Sequence, residues 1–154
     1  MDRLEQYIAV KGLKTAELLH SNLPTDTVDQ AAAAFNCSPE DIAKSIAVVT
    51  NSGDYHLVIL QGSRRLKTSK LKRLLQVRDV RLASPEQVRS ATGYAVGDVP
   101  PVGVDLPVII DEKLLGREKV YTGGGAPNRL LRMAVDEIVS CTGPVIADVS
   151  AKRK

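Results

Sequence analysis

The chain has 154 residues, of which 44% are hydrophobic and 25% are charged, and its formal net charge is +3 at pH 7. These values are those of a folded globular protein, and no apolar run approaches the roughly 20 residues of a membrane-spanning helix. Charged residues interrupt the apolar pattern of the first ten residues, which is wrong for a signal peptide and predicts a cytoplasmic protein without a membrane partner. Cys37 and Cys141 fit neither a disulfide framework nor a zinc site, so reduced thiols are expected, with no metal or cofactor.

Residues typical of helix caps mark the predicted helix ends in the N-terminal part of the chain. Asp2 caps a first helix that ends at Gly12, and the letters "AELLHS" then predict a short strand. Thr27 and Gln30 form a capping box ahead of the alanine-rich "VDQAAAAF", with Asn36 as a left-handed stop. The letters "SPED" at residues 38–41 start a further helix, which must be short because β-rich sequence follows.

The middle of the chain predicts a hairpin and two helices. The runs "SIAVVT" and "YHLVILQG" flank the turn "NSGD", and both are apolar on both faces. Such strands are typical of a central sheet that is covered on two sides. Helices are predicted at "SKLKRLLQ" and from the capping box "SPEQ", residues 84–87, to Gly93.

The C-terminal part alternates strands and helices irregularly. After a loop come the strand "PVIID", a short helical turn and the strand "EKVYTG". The loop "GGGAPN" leads to "RLLRMAV", to the helix "DEIVSC" ending at Gly143, and to a last strand "PVIADVS". No βαβ unit repeats, so the sequence predicts one α/β (α+β) domain over residues 1–154, with a mixed central β-sheet flanked by helices.

Two glycine-rich segments are open to two interpretations each. The loop "TGYAVGDVPPVG" at residues 92–103 is held in one shape, because glycine reaches unusual φ values and proline fixes φ. It is either a tight connection or a rigid wall of a binding site. The run Gly123–Gly125 matches neither a P-loop nor a dinucleotide fingerprint, and is either a plain loop or a backbone cradle for an anion.

Lys44 has two interpretations that depend on secondary structure. On a helix it would pair with Glu40 or Asp41 as an ordinary surface ion pair. On a strand it would share one face with Ile42 and Ile46, and a buried ammonium there would need an anion or a carbonyl partner. No nucleophile–base pair or metal cluster is apparent, since the two histidines, His20 and His56, are isolated in sequence. An enzyme built from this chain would rely on positioning and on backbone dipoles.

Basic residues concentrate between residues 64 and 81, where Asp79 is the one acidic residue. Such a block is either a solvated face or an electrostatic footprint for phosphates. With no Trp and one Phe, the chain lacks a row of stacking platforms, so it would hold an RNA backbone and one terminal nucleotide at most.

Three segments in consistent order resemble the YbaK family of aminoacyl-tRNA deacylases, which includes the editing domain inserted in bacterial prolyl-tRNA synthetases. They are "TVDQAAAAFNCSPEDIAKSIAVVT", "TGYAVGDVPPVG", which is similar to the family's GxxxP loop, and "VYTGGGAPNRLL". The resemblance covers about residues 27–149. It implies hydrolysis of the ester between a wrong amino acid and the 3′-terminal adenosine of a tRNA, with a free-standing editor acting on small amino acids such as Ala, Ser or Cys, on tRNA(Pro) or a related tRNA.

The resemblance also implies roles for particular residues. Lys44 would anchor the terminal adenosine phosphate or orient the substrate, while water, or the substrate's own thiol in a cysteinyl ester, attacks the ester. The expected catalytic set is Lys44, Gly97, Asp98, Val99, Pro100 and Pro101. Substrate contacts are expected from Thr27, Ser45, Tyr94, Gly123, Gly124, Gly125 and Asn128. The acceptor stem is expected to contact Arg64, Arg65, Lys67, Lys70, Lys72 and Arg73.

One residue departs from the family branch that acts on cysteinyl-tRNA(Pro), because Leu130 stands where that branch carries an aspartate. Strict cysteine specificity is therefore not expected. Two other functions remain open at this point: a non-catalytic module that binds tRNA or a synthetase, and a small-molecule esterase, which would leave the basic block unexplained. The expected partners are the 3′ acceptor end of tRNA and a synthetase, and the oligomeric state is open.

Overall fold

Helices and strands alternate along residues 1–153, which are the residues that this computed structural model describes. The helices are α1 (Arg3–Lys11), α2 (Val28–Ala34), α3 (Thr68–Leu75), α4 (Pro85–Thr92) and α5 (Val135–Thr142). The strands are β1 (Glu17–His20), β2 (Ala43–Thr50), β3 (Tyr55–Gln61), β4 (Arg64–Leu66), β5 (Val80–Leu82), β6 (Val108–Asp111), β7 (Lys119–Gly123), β8 (Arg129–Ala134), β9 (Val145–Ala147) and β10 (Ser150–Lys152). Two 3₁₀ turns cover Pro39–Asp41 and Glu112–Gly116.

The strands form one large mixed sheet and two small antiparallel ones. The large sheet has the order β5-β2-β3-β6-β9, in which β3, β6 and β9 are parallel and the other pairs are antiparallel. The small sheets have the orders β1-β8-β7 and β10-β4. The predicted α+β class with a mixed sheet is confirmed.

The hairpin β2–β3 is covered on both faces, as its two-sided apolar pattern predicts. Leu57 and Ile59 on β3 pack into the main core together with residues of α4, α5 and β8. Val58 and Leu60, on the opposite face of β3, pack against Leu71 of α3 in a second core.

The predicted helix ends are found where the caps place them. The side chains of Asp2, Thr27 and Ser84 each accept the backbone N–H three residues later, and the side chains of Glu5, Gln30 and Gln87 accept in return the N–H of the capping residue, so each of these helices begins with a capping box. Gly12 ends α1 in the left-handed conformation, and Asn36 adopts a φ of 53°. The start at Ser38 yields only a 3₁₀ turn, because Ile42 is already extended.

The segment "PVIADVS" forms two strands instead of one, because a buried carboxylate draws the chain out of the large sheet. Asp111, at the end of β6, accepts the backbone N–H of Val149 at 2.9 Å and the hydroxyl of Ser150 at 2.8 Å. β9 therefore ends at Ala147, and β10 pairs with β4. The segment "RLLRMAV" supplies β8, and β4 and β5 are short strands that the sequence pattern did not indicate.

One edge of β2 is left open in the middle, and this positions the site. Its outer side pairs with β5 over Val48–Thr50, and it bridges to β7 through Ile42 and Tyr121. Between these two contacts, residues 44–46 have no strand partner on the outer side among residues 1–153. No helix in this range is long and apolar enough to cross a membrane.

Candidate functional site

The gap along β2 opens into a cavity of about 240 Å³. This is below the range of roughly 300–1,000 Å³ found for pockets that hold drug-sized ligands, so the cavity fits a small group. Four segments line it: residues 25–28 with Ala31, residues 42–46, the loop residues Val96, Gly97 and Val99, and finally Thr122, Gly123 and Leu130. Of the residues predicted for the site, Lys44, Gly97, Val99, Thr27, Ser45 and Gly123 are brought together here.

Lys44 lies on β2, so the strand alternative is the one observed. Its Nζ donates a hydrogen bond to the main-chain carbonyl of Arg64 at 2.5 Å. Burial lowers the pKa of Lys44 below its ordinary value of 10.5, and the positive charge of Arg153 lowers that pKa further. The two acidic residues of the helical alternative, Glu40 and Asp41, pair with Arg117 instead.

The loop that carries Gly97 requires glycine at that position. Gly97 has a φ of 90°, and a Cβ there would lie 2.7 Å from the carbonyl oxygen of Asp26. The loop is tightened by a hydrogen bond from the N–H of Asp98 to the carbonyl of Ala95 at 3.0 Å. Val99 is buried, and so are the two prolines that follow it, Pro100 and Pro101, which lie behind the cavity lining.

The two glycine-rich segments contact each other directly. A Cβ on Gly123 would overlap the carbonyl group of Val99, so the close approach of the two chains depends on glycine. The N–H of Gly125 donates to the carbonyl of Asp98 at 2.8 Å. The loop and the turn therefore form one rigid rim of the cavity.

Two carboxylates lie at this rim. Asp26 lines the cavity, and Asp98 is close enough for the charge of Asp26 to act on it. Burial raises the pKa of Asp98 above its ordinary value of 3.8, and the negative charge of Asp26 raises that pKa further. The positive charge of Arg89 acts in the opposite direction and lowers the pKa of Asp98. Of the two carboxylates, only Asp26 belongs to the cavity lining.

Four residues predicted to contact substrate lie outside the lining, as do Asp98, Pro100 and Pro101 of the predicted catalytic set. Tyr94 is 8% exposed and packs against Gly125, and its hydroxyl has no hydrogen-bond partner among residues 1–153. Gly124 packs on the carbonyl of Arg129, and Asn128 turns the chain with a φ of 61°. The direct roles of Tyr94, Gly124, Gly125 and Asn128 stay predictions, and their placement is that of supports behind the rim.

The basic block lies on β4 and α3, and the carbonyl that holds Lys44 belongs to its first residue. Part of its charge is already paired within the fold, since Lys70 contacts Asp148 at 2.8 Å and Lys72 contacts Asp79 at 3.6 Å. The guanidinium of Arg64 donates to Ser150 at 2.7 Å. The whole block, Arg64, Arg65, Lys67, Lys70, Lys72 and Arg73, remains a predicted RNA contact.

Sequence reasoning missed several residues of the lining. Asp26 and Thr25 precede the capping box of α2, and their proximity to Gly97 required the fold. Ala31 lies on α2 and Thr122 on β7, where each has the pattern of an ordinary core residue. Leu130, noted as a departure from one family branch, lines the cavity and is 3% exposed.

The fold and the site define a small α+β domain with a cavity between an ammonium and a glycine-shaped rim. The sequence profile of the family described as "Aminoacyl-tRNA editing domain" matches residues 23–141. The chain belongs to this family.

Curated relatives are proline–tRNA ligases. That of Solidesulfovibrio magneticus is 36% identical over 109 residues, which make up 70% of this chain and 19% of the ligase. That of Shouchella clausii is 36% identical over 98 residues, 63% of this chain and 17% of the ligase. The chain thus spans about a fifth of the length of the curated relatives it matches.

Solved structures share the whole fold. The crystal structure of hypothetical protein APE2540 superposes with a TM-score of 0.91 at 41% identity, covering 97% of this chain and 100% of that one. A protein proposed to be a trans-editing enzyme for prolyl tRNA synthetase has a TM-score of 0.85 at 35% identity, covering 99% of this chain and 96% of that one.

Proposed function

We propose that this chain is a free-standing aminoacyl-tRNA deacylase that removes small, wrongly attached amino acids from tRNA(Pro) or a related tRNA. The observation that carries the proposal is the convergence of Lys44, the Gly97 loop and the Gly123 turn on one cavity of about 240 Å³. Membership of the editing-domain family supports it, as does likeness to a protein proposed to edit in trans for prolyl-tRNA synthetase.

In the proposed reaction, water attacks the ester carbonyl carbon and the bond to the ribose oxygen breaks. The hydroxyl of water stays on the amino acid, and a proton goes to the ribose oxygen, which leaves as the 3′ end of the tRNA. Main-chain dipoles of the rigid rim stabilise the developing charge on the carbonyl oxygen, and the ammonium of Lys44 holds the terminal phosphate. Rigid positioning of this kind needs no covalent nucleophile.

The apolar wall of the cavity is consistent with a substrate whose side chain is small and largely apolar. Ala31, Ile42 and Leu130 contribute apolar surface to the cavity. The resemblance to the cysteine-specific branch implies an aspartate at the position of Leu130, and this chain has no carboxylate there. The aminoacylation site of a synthetase distinguishes two amino acids that differ by one methylene by only about 1–3 kcal/mol of binding free energy. A second, smaller site that hydrolyses the wrong products therefore improves accuracy. Alanine, serine and cysteine, whose side chains are all small, are the proposed substrates.

The test is the rate at which tRNA(Pro) charged with alanine, serine, cysteine or proline is deacylated by the wild type and by two variants. Lys44→Ala removes the ammonium from the cavity and is expected to lower kcat/KM at least about tenfold, the size of one charge-assisted contact. Lys113→Ala removes an exposed lysine outside the lining and serves as the matched control, with wild-type rates expected.

Two results would contradict the proposal. Rates that are equal in wild type and Lys44→Ala would mean that the cavity is not the site. Saturable binding of tRNA with no deacylation of any ester would instead identify a non-catalytic module that binds tRNA or a synthetase.

A further inference from the structure

The direction of the main-chain groups along β2 follows from hydrogen bonds at its two ends. The carbonyl of Ile42 accepts the N–H of Gly62 at 2.7 Å, and the N–H of Thr50 donates to the carbonyl of Asp54 at 2.9 Å. Both bonds point toward β3 or its flanking residues, with which β2 pairs along its whole length. Since N–H and C=O groups alternate sides from one residue to the next, the even-numbered residues of β2 face β3 and the odd-numbered ones face outward.

The outward-facing main-chain groups of β2 are hydrogen-bonded to the β5 side at Ala47, but this pairing does not continue to Ser45. The carbonyl of Ala47 accepts the N–H of Ala83 at 3.0 Å, in the register that pairs β2 with β5. The same register would place Pro85 opposite Ser45, but Pro85 begins α4 and has no N–H. On the other side, pairing with β7 stops at the bridge between Ile42 and Tyr121.

Ser45 therefore presents one main-chain donor and one main-chain acceptor toward the gap. Ser45 lines the cavity, and β3 is its only strand partner among residues 1–153. A residue with both groups unpaired on a strand edge is a template for one more extended residue, which would form two hydrogen bonds with it. The vacancy has the length of a single residue, since paired segments lie on both sides.

The cavity lining carries charges of both signs, the ammonium of Lys44 and the carboxylate of Asp26, so a substrate with a positive group is expected to direct that group toward Asp26. Asp26 lines the same cavity, and Asp98 lies within reach of its charge. An α-ammonium is positively charged, and an aminoacyl ester carries this group beside a carbonyl. The aminoacyl group is thus the one-residue unit that offers a donor and an acceptor at the spacing of a strand.

We propose that the aminoacyl group binds as a one-residue extension of the large sheet, with its α-ammonium donating to the carbonyl of Ser45 and its ester carbonyl accepting the N–H of Ser45. This inference rests on the proposed function and deepens it. Recognition through the main chain is the same for every amino acid, so the choice between substrates is left to the apolar wall at Ala31 and Leu130. An ester without an α-ammonium leaves the carbonyl of Ser45 and the carboxylate of Asp26 without a partner.

The experiment compares two esters of the same tRNA, alanyl and isobutyryl, in which a methyl group replaces the ammonium at nearly constant shape. Each enzymatic rate is divided by the spontaneous rate of that ester, because the ammonium also activates the ester chemically. We expect the acceleration to be larger for alanyl by a factor of about ten or more, the size of one hydrogen bond to a charged group. Equal accelerations would overturn the inference, whereas no acceleration of either ester would overturn the proposed function.

The variant Ser45→Ala distinguishes recognition by the main chain of Ser45 from recognition by its side-chain hydroxyl. The hydroxyl of Ser45 is buried without a hydrogen-bond partner within residues 1–153, so it is the rival means of recognition. If the main chain selects the ammonium, the ratio between the two accelerations persists in Ser45→Ala. Loss of the ratio in this variant would assign selection to the hydroxyl and overturn the inference.

Discussion

At the scale of the residue, Lys44 is an ammonium held in an environment that disfavours its charge. It lies half-buried on β2, its hydrogen-bond acceptor is the neutral carbonyl of Arg64, and Arg153 adds a like charge nearby. Burial and repulsion both disfavour the protonated form. An anionic group such as a phosphate would relieve both, which is consistent with the anchoring role proposed for Lys44.

The depressed pKa of Lys44 gives a prediction with a defined sign. Because the pKa is lower in the folded chain than its ordinary value of 10.5, the unfolded chain binds more protons in the interval between the two values. The free energy of unfolding of the wild type should therefore rise with pH across that interval, relative to Lys44→Met. Arg153→Gln should raise the pKa of Lys44 toward 10.5, and NMR titration of the Lys44 side chain measures this directly.

The matched control is Lys152→Gln, which removes a neighbouring charge from the same segment. It should change the titration of Lys44 less than Arg153→Gln does, since Arg153 is the charge that acts on Lys44. The same shift in both variants would mean that the net charge of the tail, and not the position of Arg153, sets the pKa of Lys44.

At the scale of the element, the rim of the cavity is built from segments that have little regular structure. The loop after α4 and the turn after β7 support each other through Gly123 and through the hydrogen bond from Gly125 to Asp98. Behind them, the guanidinium of Arg129 donates to the carbonyl of Gly124 at 2.7 Å and pairs with Asp2 at the start of α1. Helix α1 thus fixes the turn from outside the cavity.

Gly123→Ala tests how strongly the rim depends on this contact. The new Cβ would overlap the carbonyl group of Val99, so the two segments must separate, at a cost of about 1–3 kcal/mol in the free energy of unfolding. Gly116→Ala is the matched control, since a Cβ there meets nothing within 4 Å and a change within about 0.5 kcal/mol is expected. Urea denaturation measures both, and equal stabilities of the two variants would refute the structural role of Gly123.

At the scale of the whole molecule, the modest net charge of +3 conceals an uneven distribution. Within the basic block, Lys70 and Lys72 are committed to ion pairs in the fold. Arg65, Lys67 and Arg73 form no ion pair with any other residue in the range 1–153. These three are the residues of the block that are best placed to contact phosphates.

Salt dependence of tRNA binding tests this distribution. If the block contacts the RNA backbone, the logarithm of the affinity falls linearly with the logarithm of the salt concentration. The triple variant Arg65→Gln, Lys67→Gln, Arg73→Gln should lose about one unit of slope for each phosphate contact removed. A triple variant of the exposed Lys11, Lys14 and Lys113 is the control, and an identical slope in the two variants would remove the block from the interface.

The sequence by itself determined the local structure of this protein, because local structure depends on residues that are neighbours in the chain. The capping boxes at Thr27 and Ser84 and the left-handed ends at Gly12 and Asn36 are decided within four residues. The two-faced apolar pattern of the hairpin likewise fixed a central covered sheet. Family resemblance, which also resides in short motifs, pointed to Lys44 and to both glycine-rich segments.

Only the tertiary structure decided that these segments contact each other and that a gap along β2 remains between them. That Asp26 lies against Gly97, that Val99 lies against Gly123, and that Ser45 faces a gap depend on where β5 and β7 stop pairing with β2. The same long-range demand split "PVIADVS" at Asp148, because the buried carboxylate of Asp111 required donors from Val149 and Ser150. Contacts between residues far apart in the chain leave no periodic mark in the sequence, and the cavity is made of such contacts.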